Sequence, residues 1–282
     1  MIKTTIKAFI CILLSLTLVS CGSNIFEGFE NKDAANDLTT KIENASTTAD
    51  YVEIISDTEK IIASADSSNS EKQNAYFIKA EATLGKAELS TLDLFADIAS
   101  AATDEDAGAL NLIDIEGKYD DLLAASQAIE NAESVDSTSN VNEDQNLLKG
   151  VVNTLLVVDS IKKVFEVTSA GDLSQKDTTE TYWDSLVGMV KPAGESSPIV
   201  LSDYSSNADE GFKDSASLTS DQQKAITDTN TNIKESEALY TVVKAGGTYN
   251  GVSYAGVSGD DQPTSAELLT IESQLDTIFA ED

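Results

Sequence analysis

The stretch from Asn142 to Thr168 constrains the fold most. It carries Leu147, Leu148, Val151, Val152, Leu155, Leu156, Val157, Val158 and Ile161. A helix resting on a protein surface keeps a polar stripe for water. From Val151 to Val158 this segment is apolar nearly all round, so it must be enclosed. Its valines also suit a strand, but the length favours a helix. The chain is therefore expected to wrap other helices around a buried central one.

The flanking segments supply candidates. Ala35, Leu38, Ile42 and Ala45 recur at helical spacing, and Tyr51, Ile54, Ile55, Ile61, Ile62 and Ala65 form a second amphipathic stretch. Ser70-Glu71-Lys72-Gln73 fits a capping box, opening a helix with Ala75, Ile78, Ala82 and Leu84 inward and Gly85 as its stop. Thr91–Ala102 resumes the pattern, an acidic loop follows at Asp104–Gly108, and Tyr119–Ser134 is helical. Asp136–Asn142 reads as a polar linker.

Beyond Gly171 the pattern loosens. A short helix through Tyr182, Trp183, Leu186 and Met189 precedes Pro192, and Ala193–Asp203 reads as loop. Ser220-Asp221-Gln222-Gln223 opens a long polar helix to Lys244, stopped by Gly246-Gly247. Asn250-Gly251 suits a tight hairpin within Thr248–Ser253, with a plain loop as the preferred reading. Pro263 and Thr264-Ser265-Ala266-Glu267 start a last helix with Leu268, Leu269, Ile271, Leu275 and Ile278.

About nine helices and almost no strand predict an all-α fold, with helical hairpins in a bundle or repeat-like array and a looser C-terminal part. Residues 33–282 read as one all-α domain with a sub-boundary near residue 171. Tyr76-Phe77-Ile78-Lys79-Ala80-Glu81-Ala82-Thr83-Leu84-Gly85, followed by Leu92 and Phe95, resembles a tetratricopeptide repeat across residues 70–102. An ordinary helical hairpin gives the same pattern, and no clear second copy follows at 34 residues.

The N-terminus carries a different signal. Lys3 and Lys7 form a basic region, Ala8–Val19 an apolar run, and Leu18-Val19-Ser20-Cys21 closes it. The run is shorter than the roughly 20 residues that span a bilayer. Residues 1–22 resemble the signal peptide and lipobox of bacterial lipoproteins. The resemblance implies cleavage between Ser20 and Cys21 and lipid attachment at Cys21. Residues 1–20 would be signal and residues 21–32 a lipidated tether. Two or three acyl chains anchor stably where one does not. Gly22, in place of an inner-membrane-retaining Asp, implies the outer membrane.

Cys11 leaves with the signal, so the mature chain has one cysteine and no intramolecular disulfide. There is no histidine, and every basic residue is lysine. That removes imidazole bases, Ser-His-Asp triads, histidine-ligated metals and bidentate arginine clamps. After cleavage 16 lysines face 49 acids, a net charge of −33. Nucleic acid is excluded as a partner, because phosphate binding needs a basic surface.

Motifs that carry chemistry are few. Asp136, Thr138, Asn140, Asn142 and Asp144 alternate as in a calcium loop, but Val141 replaces the turn glycine and Leu147 the bidentate glutamate. Ser160-Ile161-Lys162-Lys163 matches the S-x-x-K of penicillin-interacting enzymes, with only Ser202-Asp203-Tyr204 and Lys244-Ala245-Gly246 as partial companions. Trp183 reads as a core anchor or a contact surface, with core favoured. No catalytic, cofactor or metal residues are assigned, and the chain is read as a non-enzyme. The expected function is a lipid-anchored envelope protein that binds another protein in a scaffold or assembly role. The alternative is a helical lipoprotein delivering a cationic or other small solute to a transporter.

Overall fold

The structure, a computed structural model, describes residues 34–89, 115–135, 141–167, 173–175, 183, 187, 201–214, 220–258 and 262–278. Eight helices run through them: α1 (Ala34–Asn44), α2 (Thr48–Ala63), α3 (Asn69–Lys86), α4 (Tyr119–Val135), α5 (Glu143–Val164), α6 (Leu201–Asp214), α7 (Ser220–Ala245) and α8 (Ser265–Ile278). The fold is all-α, with helical hairpins packed together. Two short antiparallel hairpins accompany them, β1 (Phe165–Val167) with β2 (Leu173–Gln175), and β3 (Gly247–Tyr249) with β4 (Val252–Tyr254).

The helix α5 is the expected central element. Every residue from Val151 to Ser160 is buried. Of its polar members, Asn153 and Ser160 find hydrogen-bond partners, while the buried Thr154 Oγ1 has none among the described residues. Asn153 Oδ1 accepts from Ser126 Oγ of α4 at 3.1 Å, and its Nδ2 donates to the Lys149 carbonyl at 2.9 Å. Each fully buried aliphatic side chain here contributes about 1.5–3 kcal/mol. The helix ends at Val164 rather than running to Thr168. Phe165-Glu166-Val167 turns instead into a strand, which suits its aromatic and β-branched residues.

Packing is largely serial. The helix α1 rests on α2 and α3, and then α2 packs on α3, α3 on α4, α4 on α5, α5 on α6, α6 on α7 and α7 on α8. The α6 helix lies beyond residue 171 yet packs on α5, before it.

Local chemistry corrects several boundaries. The capping box of α3 is centred on Ser68 and not on Ser70. Ser68 Oγ accepts from the Glu71 N–H at 3.2 Å, and Glu71 Oε2 accepts from the Ser68 N–H at 2.7 Å. A glutamate at this position also complements the positive helix end. Nor does α3 stop at Gly85. Glu88 N–H donates to the Gly85 carbonyl at 3.0 Å and Leu89 N–H to the Leu84 carbonyl at 2.9 Å. This is a Schellman closure with Glu88 in the left-handed position at φ 61°. Gly85 serves packing instead, since a Cβ there would overlap the Tyr51 ring.

Residues 201–203, expected in a loop, begin α6. Its apolar stripe is thin, but Leu201, Tyr204, Ala208, Gly211 and Phe212 are all buried. Asn250-Gly251 forms the tight hairpin turn rather than a plain loop. Asn250 at φ 44° and Gly251 at φ 81° give the two left-handed positions that a two-residue turn requires. The last helix starts as expected, with Thr264 Oγ1 accepting from Glu267 N–H at 3.3 Å and Glu267 Oε2 accepting from Thr264 N–H at 2.9 Å.

The expected helices Thr91–Ala102 and 182–189, apart from Trp183 and Val187, lie outside the described residues. So do the Asp104–Gly108 loop and the second half of the repeat-like unit. No helix among the described residues is long and apolar enough to cross a membrane.

Candidate functional site

Ser20, Cys21, Gly22 and the tether lie outside the described residues. Of the calcium-like motif, Asp136, Thr138 and Asn140 also lie outside them. Asn142 acts as a helix cap: its Oδ1 accepts from Gln145 N–H at 2.7 Å, and Gln145 Oε1 accepts from Asn142 N–H at 3.1 Å. Among the described residues no group of three or more candidate ligands is placed to hold a metal ion.

The S-x-x-K serine is turned inward. Ser160 is fully buried, and its Oγ donates to the Leu156 carbonyl one turn back at 2.8 Å. A hydroxyl spent on its own helix is not presented to a substrate. Ser202 opens α6, and its N–H donates to Glu237 Oε1 of α7 at 2.8 Å. Lys244 lies in the last turn of α7. Trp183 is buried, with its ring stacked on Tyr240 at a centroid separation of 5.3 Å and an interplanar angle of 14°. The core reading of Trp183 therefore holds.

Two buried charged centres were not singled out in the sequence. The first is Lys149 of α5, whose side chain is 4% exposed. Its ammonium donates to Glu133 of α4 at 2.8 and 3.1 Å and to Glu210 of α6 at 2.8 Å. Burial works against the charge. The hydrogen bonds to Glu133 and Glu210 outweigh it and hold Lys149 above its ordinary value. The centre clamps three consecutive helices, and its charges are mutually satisfied.

The second is Glu81 of α3. As a residue Glu81 is only partly covered, but its Oε2 is closed off from solvent and has no hydrogen-bond partner among the described residues. Burial pushes its carboxyl up to about 8, and the charge of Glu43 in the last turn of α1 pushes the same way. At neutral pH most of it is therefore the neutral acid. The sequence held a signal for this residue: Glu81 sits between Ala80 and Ala82, four residues after Phe77 and three before Leu84. Those spacings place a carboxyl on a core-facing stripe.

Three lysines of α1 and α3 are engaged in ion pairs. Lys41 reaches Glu53 at 3.2 Å and Asp57 at 2.6 Å, Lys79 reaches Glu59 at 2.8 Å, and Lys86 reaches Asp121 at 2.7 Å. Comparison with protein-family models, curated proteins and solved structures finds no match for the chain.

Proposed function

We propose that the protein is a lipid-anchored component of a bacterial cell envelope, held through Cys21 at the outer membrane, whose all-α domain binds another protein in a scaffold or assembly role. The observation that carries the interaction reading is the serial packing of α2 through α6, each helix on the next. Stacked helical pairs expose a long surface assembled from many short elements, suited to an extended partner. The excess of acids over lysines favours a partner with a basic face. The lipobox-like run supports anchorage, and it places α1 directly after the tether.

The test has two arms. Replacing Cys21→Ala should release the protein from the membrane fraction, and an unchanged membrane fraction would overturn the anchor. The intact protein, extracted gently and purified, should bring a stoichiometric envelope protein with it. Emergence alone, with a bound small molecule identified by mass spectrometry, would replace the scaffold reading with solute delivery.

A further inference from the structure

Glu81 sits one turn before Gly85 on α3, and its Oε2 is shut off from solvent with no hydrogen-bond partner among the described residues. Both α1 and α2 pack on α3, and the charge of Glu43 on α1 pushes the Glu81 carboxyl up. One turn along α3, the Tyr51 ring of α2 covers Gly85, and the Tyr51 hydroxyl donates to the Ala45 carbonyl just beyond α1 at 3.3 Å. The end of α1 is thus tied into the same corner. A carboxyl oxygen shut away without a donor is costly as an anion and far less so as a neutral acid.

Among the described residues, the charged groups that the packed helices pair with one another leave Glu81 out. From α1, Lys41 is committed to Glu53 and Asp57 of α2. From α2, Glu59 holds Lys79, and the Asp50 carboxylate accepts from the Ser46 and Thr47 N–H groups. From α4, Asp121 holds Lys86. Among the described residues the charge that acts on Glu81 is that of Glu43, and it carries the same sign.

We propose that Glu81 is a proton-operated latch: protonated, it lets α1 dock on the α2–α3 hairpin, and ionised, it releases α1. The sign follows from linkage. A carboxyl that is raised to about 8 when docked and returns to its ordinary 4.5 when exposed binds its proton more tightly in the docked state. Docking is unaffected below the lower value. Between the two values it weakens about tenfold per pH unit, and above the upper one it levels off. In an anchored protein, a consequence that rests on the function proposed above, release would add α1 to the tether. At roughly 3.3–3.6 Å per extended residue, its 11 residues would let the domain stand about 35–40 Å further off.

Hydrogen exchange of the full mature chain in detergent between pH 5 and 9, corrected for intrinsic rates, tests the latch apart from the anchor. The α4 amides serve as the internal reference. Protection of α1 should fall by about tenfold per pH unit and then level off above pH 8, while Glu81→Gln should hold α1 protected throughout. A flat wild-type profile, or an equal fall in Glu81→Gln, would overturn the proposal. Should Glu81→Gln lose α4 protection as well, Glu43→Gln decides. A levelling point moved toward acid supports the latch, and an unmoved one overturns it.

Discussion

Gly211 of α6 meets the backbone of Gly150 on α5 with no room for a side chain between them. A Cβ on Gly211 would lie 2.5 Å from the Gly150 nitrogen and 2.6 Å from the Asn146 carbonyl oxygen. Both obstacles are main chain of the buried central helix, so neither moves cheaply. Gly211→Ala should therefore destabilise the protein by about 1–3 kcal/mol, or more if α6 is pushed off α5. Gly150→Ala meets instead the Phe212 ring, at 2.9 Å, and a ring can shift. Urea midpoints of the two variants should show the larger loss at Gly211, and equal losses would mean that α6 itself slides.

Glu88 closes α3 in a left-handed conformation at φ 61°, with an exposed side chain. That conformation costs a non-glycine residue about 1–2 kcal/mol. Glycine removes the strain but adds freedom to the unfolded chain, worth roughly 0.5–1 kcal/mol. Glu88→Gly should thus stabilise by about 0.5–1 kcal/mol, seen as a raised denaturation midpoint with an unchanged slope. A destabilised variant would show that the Glu88 side chain holds something at this corner.

The cap of α3 separates two neighbouring serines. Ser68→Ala removes the oxygen that accepts from Glu71 N–H and should cost about 1 kcal/mol. Ser70→Ala, inside the first turn, should stay within about 0.5 kcal/mol of wild type. The backbone hydrogen bond from Ser68, more than the hydroxyl bond, holds Glu71 below its ordinary 4.5. A depressed carboxylate contributes above its unfolded value and loses that contribution as pH falls through the folded one. The backbone bond survives Ser68→Ala, so only the share of the Ser68 hydroxyl, which donates to Glu71 Oε2 at 2.8 Å, makes the gap between the variant and wild type narrow as pH falls below 4.5. A gap that stays constant through that fall would show that the hydroxyl bond to the Glu71 carboxylate adds nothing to the cap.

These corners show where sequence patterns were sufficient. The central helix was legible because α5 needs no polar stripe, and α4 because Leu122, Ala128 and Ile129 keep one face. The cap of α8 was legible because Thr264 and Glu267 stand at the right spacing. What escaped shares a cause. Leu201, Tyr204, Ala208 and Phe212 are too sparse, among serines and acids, to announce α6, whose place depends on a groove that α5 supplies. The α3 terminus misled because a glycine stood at Gly85, whereas the left-handed position fell to a glutamate. Glu81 and Lys149 look like solvated charges until tertiary packing encloses them. Residues 20–22, which carry the proposed anchor, lie outside the described residues.

Lys149 yields the sharpest asymmetry between partners. Its ammonium is enclosed, whereas the Glu133 and Glu210 side chains are 32% and 64% exposed. Removing a carboxylate leaves a buried cation short of partners, while removing the lysine leaves carboxylates that water can reach. Glu133 makes two of the three bonds and is the more enclosed acid. Glu133→Gln should cost about 1–3 kcal/mol, discounted from the 3–5 of a fully buried pair because solvent reaches Glu133. Glu210→Gln should cost less than 1 kcal/mol, as an exposed partner does. Lys149→Met keeps the stem volume without the charge and should fall below Glu133→Gln in cost. The folded lysine lies above its ordinary 10.5, so its contribution holds below that value and disappears as pH rises through the folded one. Lys149→Met should lack that alkaline loss. Equal costs for Glu133→Gln and Glu210→Gln would show that the clamp is carried by its geometry and not by the enclosure of the lysine.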